Sequence, residues 1–427
     1  MLMSAPVRIR SPDTEMAVRD VQWDKLRRLL AVILPANEFY ARRLPKKWRP
    51  RSLADFAARC PLLTKHDLVA DREGCPPYGT NLSWPLERYT RFCQTSGTTG
   101  RPLPWLDTSE DWAAMLGCWR RVYEAAGVVP GRDRVFFAFT FGPFLGFWTA
   151  FEAALGMGLM AMPGGGLSST ARLQAMAENR ATVLCCTPTY AVRLGEARVA
   201  HQIETSIRMV IVAGEPGGSI AATRQRLASL WPGAVIFDHH GLTEAGPVTH
   251  EEPGLPGFLR IIEESYFAEI IDVETGREVP NGGQGELVLT TLDRLGCPLL
   301  RYRTGDFVIK ARAADGGLLL AGGILSRTDD MVVVRGVNIY PSAIEGVLRL
   351  FPEVAEYQVR EEWLNGMLEL RLVVEFYHEA DASLAPMLEK SLTDALALRI
   401  PVEVFPPGSL PRFEFKARRW VKAPLTD

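Results

Sequence analysis

The feature that most restricts the fold of this chain is a set of five short apolar segments between about residues 110 and 240, separated by helix-like stretches. In order, they read DRVFFAF, GLMAMP, ATVLCCTP, IRMVIVAG and AVIFDHH. Continuous apolar runs of this length are typical of strands buried on both faces, and parallel strands need a crossover, usually a helix, between them. We therefore predict an α/β fold with a parallel sheet.

Different patterns flank this region. Helical spacing of apolar residues extends from about residue 17 to 92. From residue 266 onward, apolar and polar residues alternate, which predicts antiparallel strands in a small β subdomain. Beyond residue 326 the order is strand, helix from Pro341, two strands around Asn365-Gly366, helix over 383–399 and a strand VEVF. We predict a large N-terminal domain, residues 1–326, and a small α+β domain, residues 327–427.

Composition excludes several classes of protein. A net charge of −2 over 427 residues argues against a nucleic-acid or anionic-membrane binder. Seven cysteines without a C-x-x-C argue against a disulfide framework or a zinc ribbon. The start of the chain lacks the apolar centre of a secretory signal, and the apolar run 146–162 contains Glu152, so we predict a buried helix and a buried strand there, not a membrane span. We expect a cytoplasmic protein with no nucleic-acid or membrane partner.

Residues 95–101 read TSGTTGR, an unusual density of hydroxyls and glycines. Successive backbone N–H groups in such a loop form a concave site for anionic oxygens, the hydroxyls add donors, and Arg101 adds a fixed positive charge. This combination suits a polyphosphate, although the Walker A pattern is absent. The alternative, a solvated Ser/Thr/Gly turn, stays open on this segment alone.

Four more segments follow in order: HHGLTEAG (239–246), YRTGD (302–306), SRTDDMVVVRGVNIYPSAIE (326–345) and GSLPRFEFKAR (408–418). With TSGTTGRP (95–102), they make the chain resemble the adenylate-forming acyl- and aryl-CoA synthetase superfamily over almost its full length, and in particular its phenylacetate–CoA ligase branch. The resemblance implies ATP-dependent activation of a carboxylic acid to an acyl-adenylate, followed by transfer to coenzyme A. It also implies that the C-terminal domain is a mobile lid.

The resemblance assigns nucleotide-binding roles to named positions. Asp306 would accept hydrogen bonds from the ribose hydroxyls, Thr243 would contact the α-phosphate, and His240 stands where the family usually stacks a tyrosine on adenine. The β- and γ-phosphates would be bound by Thr95, Ser96, Gly97, Thr98, Thr99, Gly100 and Arg101. The other positions assigned to nucleotide binding are Gly214, Glu215, Pro216, Asp238, His239 and Gly241. The adjacent His239 and His240 also leave a metal site open as an alternative.

Catalytic roles follow from the same resemblance. Glu244 would bind Mg²⁺, a hard cation that prefers oxygen ligands, and Lys416 would neutralise charge during adenylation, with Arg327 as the third catalytic residue. Asp329 matches the hinge about which the C-terminal domain turns, and Gly336 would then line the path of the CoA pantetheine. Arg418 and Arg419, beside the lysine, have the pattern of solvated charge.

The substrate and acceptor are less defined. The segment FFAFTFGPFLGFW (136–148) corresponds to the acid-pocket wall of aryl-acid relatives, with Phe141, Gly142 and Gly214 as lining residues, and suggests an aromatic or bulky hydrophobic acid. Some relatives hold zinc where this chain has Glu252 and Arg260, so no zinc is expected. A carrier-protein thiol or an amine as acceptor, a catalytically idle homologue, and a homodimer remain alternatives.

The assignment of Lys416 gives the first prediction. Because the lysine should act only in the first half-reaction, Lys416→Ala should lower adenylation by at least ~10²-fold, the scale of losing one transition-state donor. Thioester formation from supplied acyl-adenylate should survive. The assignment is wrong if both half-reactions fall together or if neither does.

Overall fold

The structure is a computed structural model that describes residues 12–45, 48–95, 102–327, 332–335, 337–339, 341–364, 367–413 and 419–422. Near its start lie α1 (Pro12–Ala36), α2 (Glu38–Arg43), α3 (Leu53–Arg59) and α4 (Lys65–Gly74). Asn37, Ser52 and Thr64 cap the last three with their side chains. An antiparallel hairpin follows, made of β1 (Tyr89–Gln94) and β2 (Pro104–Thr108). Within the described residues, no helix combines the length and apolarity needed to cross a membrane.

The predicted parallel sheet is present. Helix α5 (Ser109–Ala125) leads into strands β3 (Arg134–Phe137), β4 (Met160–Pro163), β5 (Val183–Cys186), β6 (Met209–Val212) and β7 (Val235–Asp238). Their connections contain α6 (Leu145–Gly156), α7 (Ser169–Glu178), α8 (Pro188–Ala200) and α9 (Ala221–Leu230). All neighbours pair in parallel, in the order β4-β3-β5-β6-β7. The prediction of a buried strand at β4 is wrong, because β4 is an edge strand and Met160 is 56% exposed.

Alternate residues of each strand pack into different hydrophobic clusters, as a side-chain period of two requires. One cluster joins alternate strand positions to α7, α8 and α9, and includes Phe136, Leu184, Val210, Val212 and Ile236. The other joins the intervening positions to α5 and α6, and includes Val135, Phe137, Val183, Cys185, Met209, Ile211 and Phe237. With both faces covered, polar loops are confined to the strand ends.

The strand order reverses between β3 and β5, because the chain goes from β3 outward to β4 and then returns to the other side of β3. In open α/β sheets, the crevice outside the carboxyl ends of the strands at such a reversal is the usual ligand site. The loops that follow β3, β5, β6 and β7 all leave from that edge.

A six-stranded antiparallel sheet follows the parallel one. After the short ladder of β8 (Gly241–Leu242) and β9 (Gly246–Pro247), the strands are β10 (Thr249–Glu252), β11 (Leu255–Ile261), β12 (Tyr266–Ile271), β13 (Gln284–Thr291), β14 (Tyr302–Arg312) and β15 (Leu318–Arg327), in the order β10-β11-β15-β14-β13-β12. The sheet therefore begins at Thr249, whereas the sequence predicted its start at residue 266. The first two strands were missed because their residues, THEE and LPGFLRI, are short or interrupted by glycine and proline. The largest core cluster packs this sheet against α1 to α4.

The C-terminal elements have a core of their own. They are β16 (Val332–Val334), β17 (Val337–Ile339), α10 (Pro341–Leu348), β18 (Val354–Leu364), β19 (Met367–Phe376), α11 (Ala385–Leu396), β20 (Val402–Phe405) and β21 (Trp420–Val421). The last four strands form a sheet in the order β20-β19-β18-β21. Its apolar cluster draws on residues from Val334 to Ile400. The domain boundary at residues 326 and 327 stays a prediction.

Glu252 and Arg260, the positions expected to have lost zinc ligands, form an ion pair between β10 and β11. Arg260 Nη2 donates to Glu252 Oε1 at 2.9 Å and to Asp315 Oδ1 at 3.0 Å. The three side chains are only 14%, 17% and 13% exposed, in the order Arg260, Glu252, Asp315. A guanidinium between two carboxylates thus joins the β10–β11 hairpin to the turn before β15.

This ion triad gives a stability prediction. Arg260→Ala should lower the free energy of unfolding by about 1–3 kcal/mol, because two mostly buried carboxylates would face each other without their shared donor. Arg399→Ala, which removes an ion pair whose arginine is 74% exposed, is the control and should cost much less. Chemical denaturation measures both. Equal losses would show that the triad adds nothing beyond a surface pair.

Candidate functional site

The predicted site residues lie in part outside the described residues. Those that cannot be placed are Ser96 to Arg101, Asp329, Gly336 and Lys416. Thr95, at the start of the glycine-rich segment, is buried, and its backbone N–H and hydroxyl pair with the carbonyl and N–H of Leu103 at 3.0 and 2.9 Å. These two bonds hold together the ends of the segment 96–102. The sequence predicted a phosphate contact for Thr95, and its described hydrogen bonds are structural.

Asp306 brings three of the sequence motifs together. Its carboxylate is 2% exposed, with Oδ1 3.1 Å from Arg327 Nη1 and Oδ2 3.0 Å from His240 Nε2. Strand pairing places Asp306 opposite Arg327 in β14 and β15, and Arg327 also donates to the carbonyl of Thr304 at 3.1 Å. His240 and Arg327, which the sequence assigned to adenine and to catalysis, therefore both contact the carboxylate of Asp306, which it assigned to ribose, although the three residues are up to 87 positions apart in the sequence.

Glu244 lies in the turn between β8 and β9 and is mostly buried. Its Oε1 lies 3.7 Å from Lys65 Nζ, at the first turn of α4. Sequence reasoning missed Lys65. The Thr64–Asp67 capping box marks where this helix starts, but nothing in the local pattern shows that the lysine faces a residue 179 positions away.

The segment after β6 is anchored to α8. Glu215 Oε1 accepts the backbone N–H of Thr189 at 2.8 Å, at an end of the helix where N–H groups have no intrahelical partner. Gly214 has φ +94°, a value that a residue with a Cβ rarely adopts. The predicted nucleotide-binding segment 214–216 is thus fixed beside the first turn of α8.

Asp238 and His239, both predicted to bind nucleotide, point into buried surroundings. Asp238 accepts the Ser219 hydroxyl at 2.6 Å, and burial, with a further increase from nearby Glu251, raises its pKa to about 7. His239 packs edge-on against Trp119 at 4.3 Å between ring centroids, and burial lowers its pKa to about 3. Since His239 faces Trp119 and His240 faces Asp306, the pair does not converge on a common metal position.

The aromatic segment divides between core and surface. Phe136 and Phe137 are fully buried, whereas Phe141 is half-buried, 4.8 Å from Trp148 between ring centroids. Gly142 has φ +50°, and its carbonyl accepts Trp148 Nε1 at 2.8 Å. Phe141 and Gly142 therefore lie at the carboxyl edge of the parallel sheet, where the sequence predicted the acid pocket.

Arg419 was expected to be solvated, and that expectation is wrong. It is 8% exposed, donates to Glu356 Oε1 at 2.6 Å, and lies 4.8 Å above the ring of Tyr357. Its Nη1 also reaches the hydroxyl of Thr189 at 3.4 Å. Arg419, three residues after Lys416, therefore contacts the same first turn of α8 whose backbone N–H donates to Glu215.

This chain is similar in sequence to known proteins. Residues 87–291 match the family described as AMP-binding enzyme, and residues 336–423 match the AMP-binding enzyme C-terminal domain. The phenylacetate-coenzyme A ligase of Thermus thermophilus is 32% identical, over 93% of this chain and 94% of the relative. The phenylacetate-coenzyme A ligase of Escherichia coli is 28% identical, over 86% and 85%.

Solved structures have the same fold. A 2-hydroxyisobutyryl-CoA ligase in the postadenylation state, in complex with 2-HIB-AMP, superposes with a TM-score of 0.88 at 24% identity, over 99% of this chain and 94% of the other. The same ligase with 2-HIB-AMP and CoA in the thioesterification state gives 0.71 at 25% identity, over 98% and 94%.

The raised pKa of Asp238 gives a pH-dependent prediction. A carboxyl group whose folded pKa lies above its unfolded value makes the fold less stable as pH rises between the two values, here from about 4 to about 7. Asp238→Asn removes this ionisation, so its stability relative to the parent should increase between pH 5 and pH 8 by roughly 2.5–3 kcal/mol, at about 1.4 kcal/mol per pKa unit over about two units.

Denaturation curves at the two pH values measure the change. Glu274→Gln, in the exposed turn after β12, is the control and should show no such trend. A difference for Asp238→Asn that is independent of pH would contradict the prediction.

Proposed function

The chain belongs to the AMP-binding enzyme family that includes the phenylacetate–coenzyme A ligases, and on that premise we propose how its residues carry out the reaction. It is an AMP-forming acid–CoA ligase. A carboxylate oxygen of the acid attacks the α-phosphorus of ATP, the α–β phosphoanhydride bond breaks, and pyrophosphate leaves. The sulfur of CoA then attacks the acyl carbon of the adenylate, releasing AMP, and the thiol gives up its proton.

The convergence of His240, Asp306 and Arg327 carries the assignment of the nucleotide site. We propose that Asp306 binds the ribose hydroxyls and that His240 and Arg327 hold its carboxylate in place beforehand. His240 Nδ1 is buried and has no hydrogen-bond partner within the described part of the chain, which leaves it available to a bound nucleotide. The ring would then stack on adenine through its face.

The first step brings two anions together, so the site must neutralise charge. Glu244 fits a magnesium site, because its carboxylate is a hard oxygen donor and Mg²⁺ usually takes one or two carboxylates together with substrate phosphates. When bound, the ion would neutralise charge that develops on the phosphates. Lys65, 3.7 Å from the same carboxylate, would keep Glu244 oriented and would add a positive charge beside this ligand.

We propose that Lys416 completes this neutralisation. Arg419, three residues after Lys416, contacts Thr189, and the backbone N–H of Thr189 donates to Glu215, which supports a position of the C-terminal chain beside the proposed nucleotide site. Rotation about Asp329 would withdraw the lysine and present Gly336 to CoA. These three residues keep the roles that the family resemblance gave them.

The acid would bind at the carboxyl ends of β3 and β6, between Phe141, Gly142 and Gly214. Phe141 is part of a set of aromatic rings with neighbouring centroids 4.8 to 5.4 Å apart, and its half-buried ring offers an apolar wall. We propose an aromatic or bulky hydrophobic acid as substrate.

A pyrophosphate-release screen over aryl and alkyl acids, each with and without CoA, tests this function. Release that depends on an aromatic acid, with thioester formed only when CoA is added, is the expected result. Release without thioester would indicate a carrier-protein or amine acceptor. The absence of release with every acid would mean an idle homologue.

Asp306→Asn tests the nucleotide site. The KM for ATP should rise ~10-fold or more, since hydrogen bonds to charged groups contribute about 1.5–3 kcal/mol, while the KM for CoA should not change. The matched control is Asp133→Asn, a buried carboxylate paired with Arg208 at the amino end of β3, away from the site. Equal changes in both variants would contradict the assignment of Asp306.

A further inference from the structure

Arg294 is a buried arginine with four hydrogen-bond acceptors. Its side chain is 2% exposed and forms a bidentate pair with Asp107, at 2.6 Å from Nε to Oδ1 and 2.8 Å from Nη2 to Oδ2. The remaining nitrogen, Nη1, donates to the main-chain carbonyls of Glu244 at 2.6 Å and Thr243 at 3.1 Å. One guanidinium thus joins the hairpin strand β2 to the turn that carries the proposed magnesium ligand.

We propose that Arg294 and Asp107 form a positioning pair that fixes Thr243 and Glu244 relative to β2, the strand that follows the glycine-rich segment 95–101. The inference rests on the proposed function, because it deepens the role of the same site. Neither residue belongs to the motifs from which that function was inferred, and neither is proposed to touch the substrate.

Asp107 lies on β2, and β2 pairs with β1, the strand that precedes the glycine-rich segment 95–101. Asp107 is opposite Arg91, three residues beyond Pro104, and Pro104 pairs with Gln94 at the start of the segment. Its side chain is fully buried. Any shift of the carboxylate would therefore move the strand that follows the segment.

The backbone around Arg294 is held from the other side by Asp111, in the first turn of α5. Asp111 Oδ1 accepts the N–H of Leu295 at 2.6 Å and of Gly296 at 3.2 Å. The same carboxyl group caps the helix, since its Oδ2 accepts the backbone N–H of Thr108, the N-cap residue of α5, at 3.1 Å. The position of the guanidinium is thus set by both its backbone and its ion pair.

The carbonyls of Thr243 and Glu244 belong to the turn between β8 and β9. Buried carbonyls need a donor, and Arg294 supplies it from a side chain that cannot lose its charge. Second-layer groups of this kind orient the residues that contact a metal, and losing them typically weakens metal binding or activity ~10–100-fold.

The chain contains a matched control, the pair Arg301–Glu269. Its side chains are 9% and 7% exposed, and it is also bidentate, at 2.9 Å for both contacts. Arg301 Nη1 likewise donates to a main-chain carbonyl, but that carbonyl belongs to Cys60, at 2.7 Å. Each arginine therefore pairs with a buried carboxylate and donates to a main-chain carbonyl. Of the two, only Arg294 donates to the carbonyl of the proposed metal ligand, Glu244.

Arg294→Lys and Arg301→Lys test the proposal. Lysine keeps the charge beside the carboxylate, but its three donors on one nitrogen cannot serve two carboxylate oxygens and the carbonyls together. Melting temperatures should fall by similar amounts in the two variants. The half-saturating Mg²⁺ concentration for ATP–pyrophosphate exchange should rise ~10-fold or more in Arg294→Lys alone, and Mg²⁺-dependent ATP binding, measured by calorimetry, should weaken in parallel.

Equal Mg²⁺ dependence in the two variants would overturn the proposal and leave Arg294 a purely structural residue. If Arg294→Lys fails to fold, the neutral double variant Asp107→Asn with Arg294→Gln removes both buried charges together, and it should show the same rise in Mg²⁺ requirement. A parent protein that neither binds ATP nor exchanges pyrophosphate would instead overturn the proposed function, and this inference with it.

Discussion

Burial of both faces of the five-stranded parallel sheet is the constraint on which the rest of this structure depends. Because alternate side chains of β3, β5, β6 and β7 enter two separate hydrophobic clusters, polar chemistry has no place along the strands. It is confined to the loops at their ends, and the strand order reverses between β3 and β5, where open α/β sheets usually bind ligands at the carboxyl edge. Glu215, His240 and Glu244 are all carried by loops that leave from this edge.

Around that edge, buried carboxylates pair with arginines. Asp306 with Arg327, Asp107 with Arg294 and Glu251 with Arg224 each join residues that belong to different elements. A buried ion pair is weak evidence for stability, because desolvation offsets much of the attraction. Removing one partner is costly, however, so such pairs hold the loops in a defined relative position. A fixed relative position of these loops matters more to the site than added stability, since transition-state stabilisation depends on prearranged groups.

The C-terminal elements contact helices α8 and α9, which cover one face of the parallel sheet, through polar side chains. Arg419 reaches Thr189 on α8, and Arg226 on α9 donates to the hydroxyl of Tyr377 at 3.1 Å. Tyr377 is 38% exposed, so the second contact lies near solvent. Contacts of this kind are easier to break than a packed apolar interface, which agrees with a lid that must change its orientation between two half-reactions. The C-terminal part has a hydrophobic cluster separate from the others, as the proposed rotation requires.

The sequence by itself determined the fold class, the five strands of the parallel sheet, the presence of antiparallel strands from residue 266 onward and the family, because these follow from local periodicity and from motifs of contiguous residues. It also assigned Asp306, His240 and Arg327 to the same nucleotide-binding and catalytic site. Only the tertiary structure decided that His240 faces Asp306 while His239 faces Trp119, that β4 is an exposed edge, and that Arg419 is buried. Lys65 lies near the Glu244 carboxylate, Arg294 donates to the Glu244 carbonyl, and Asp107 pairs with Arg294, yet the three residues are 179, 50 and 137 positions from Glu244 in the sequence. The physical reason is that ion pairing and burial depend on which distant elements meet, and a single sequence carries no local signal of that meeting.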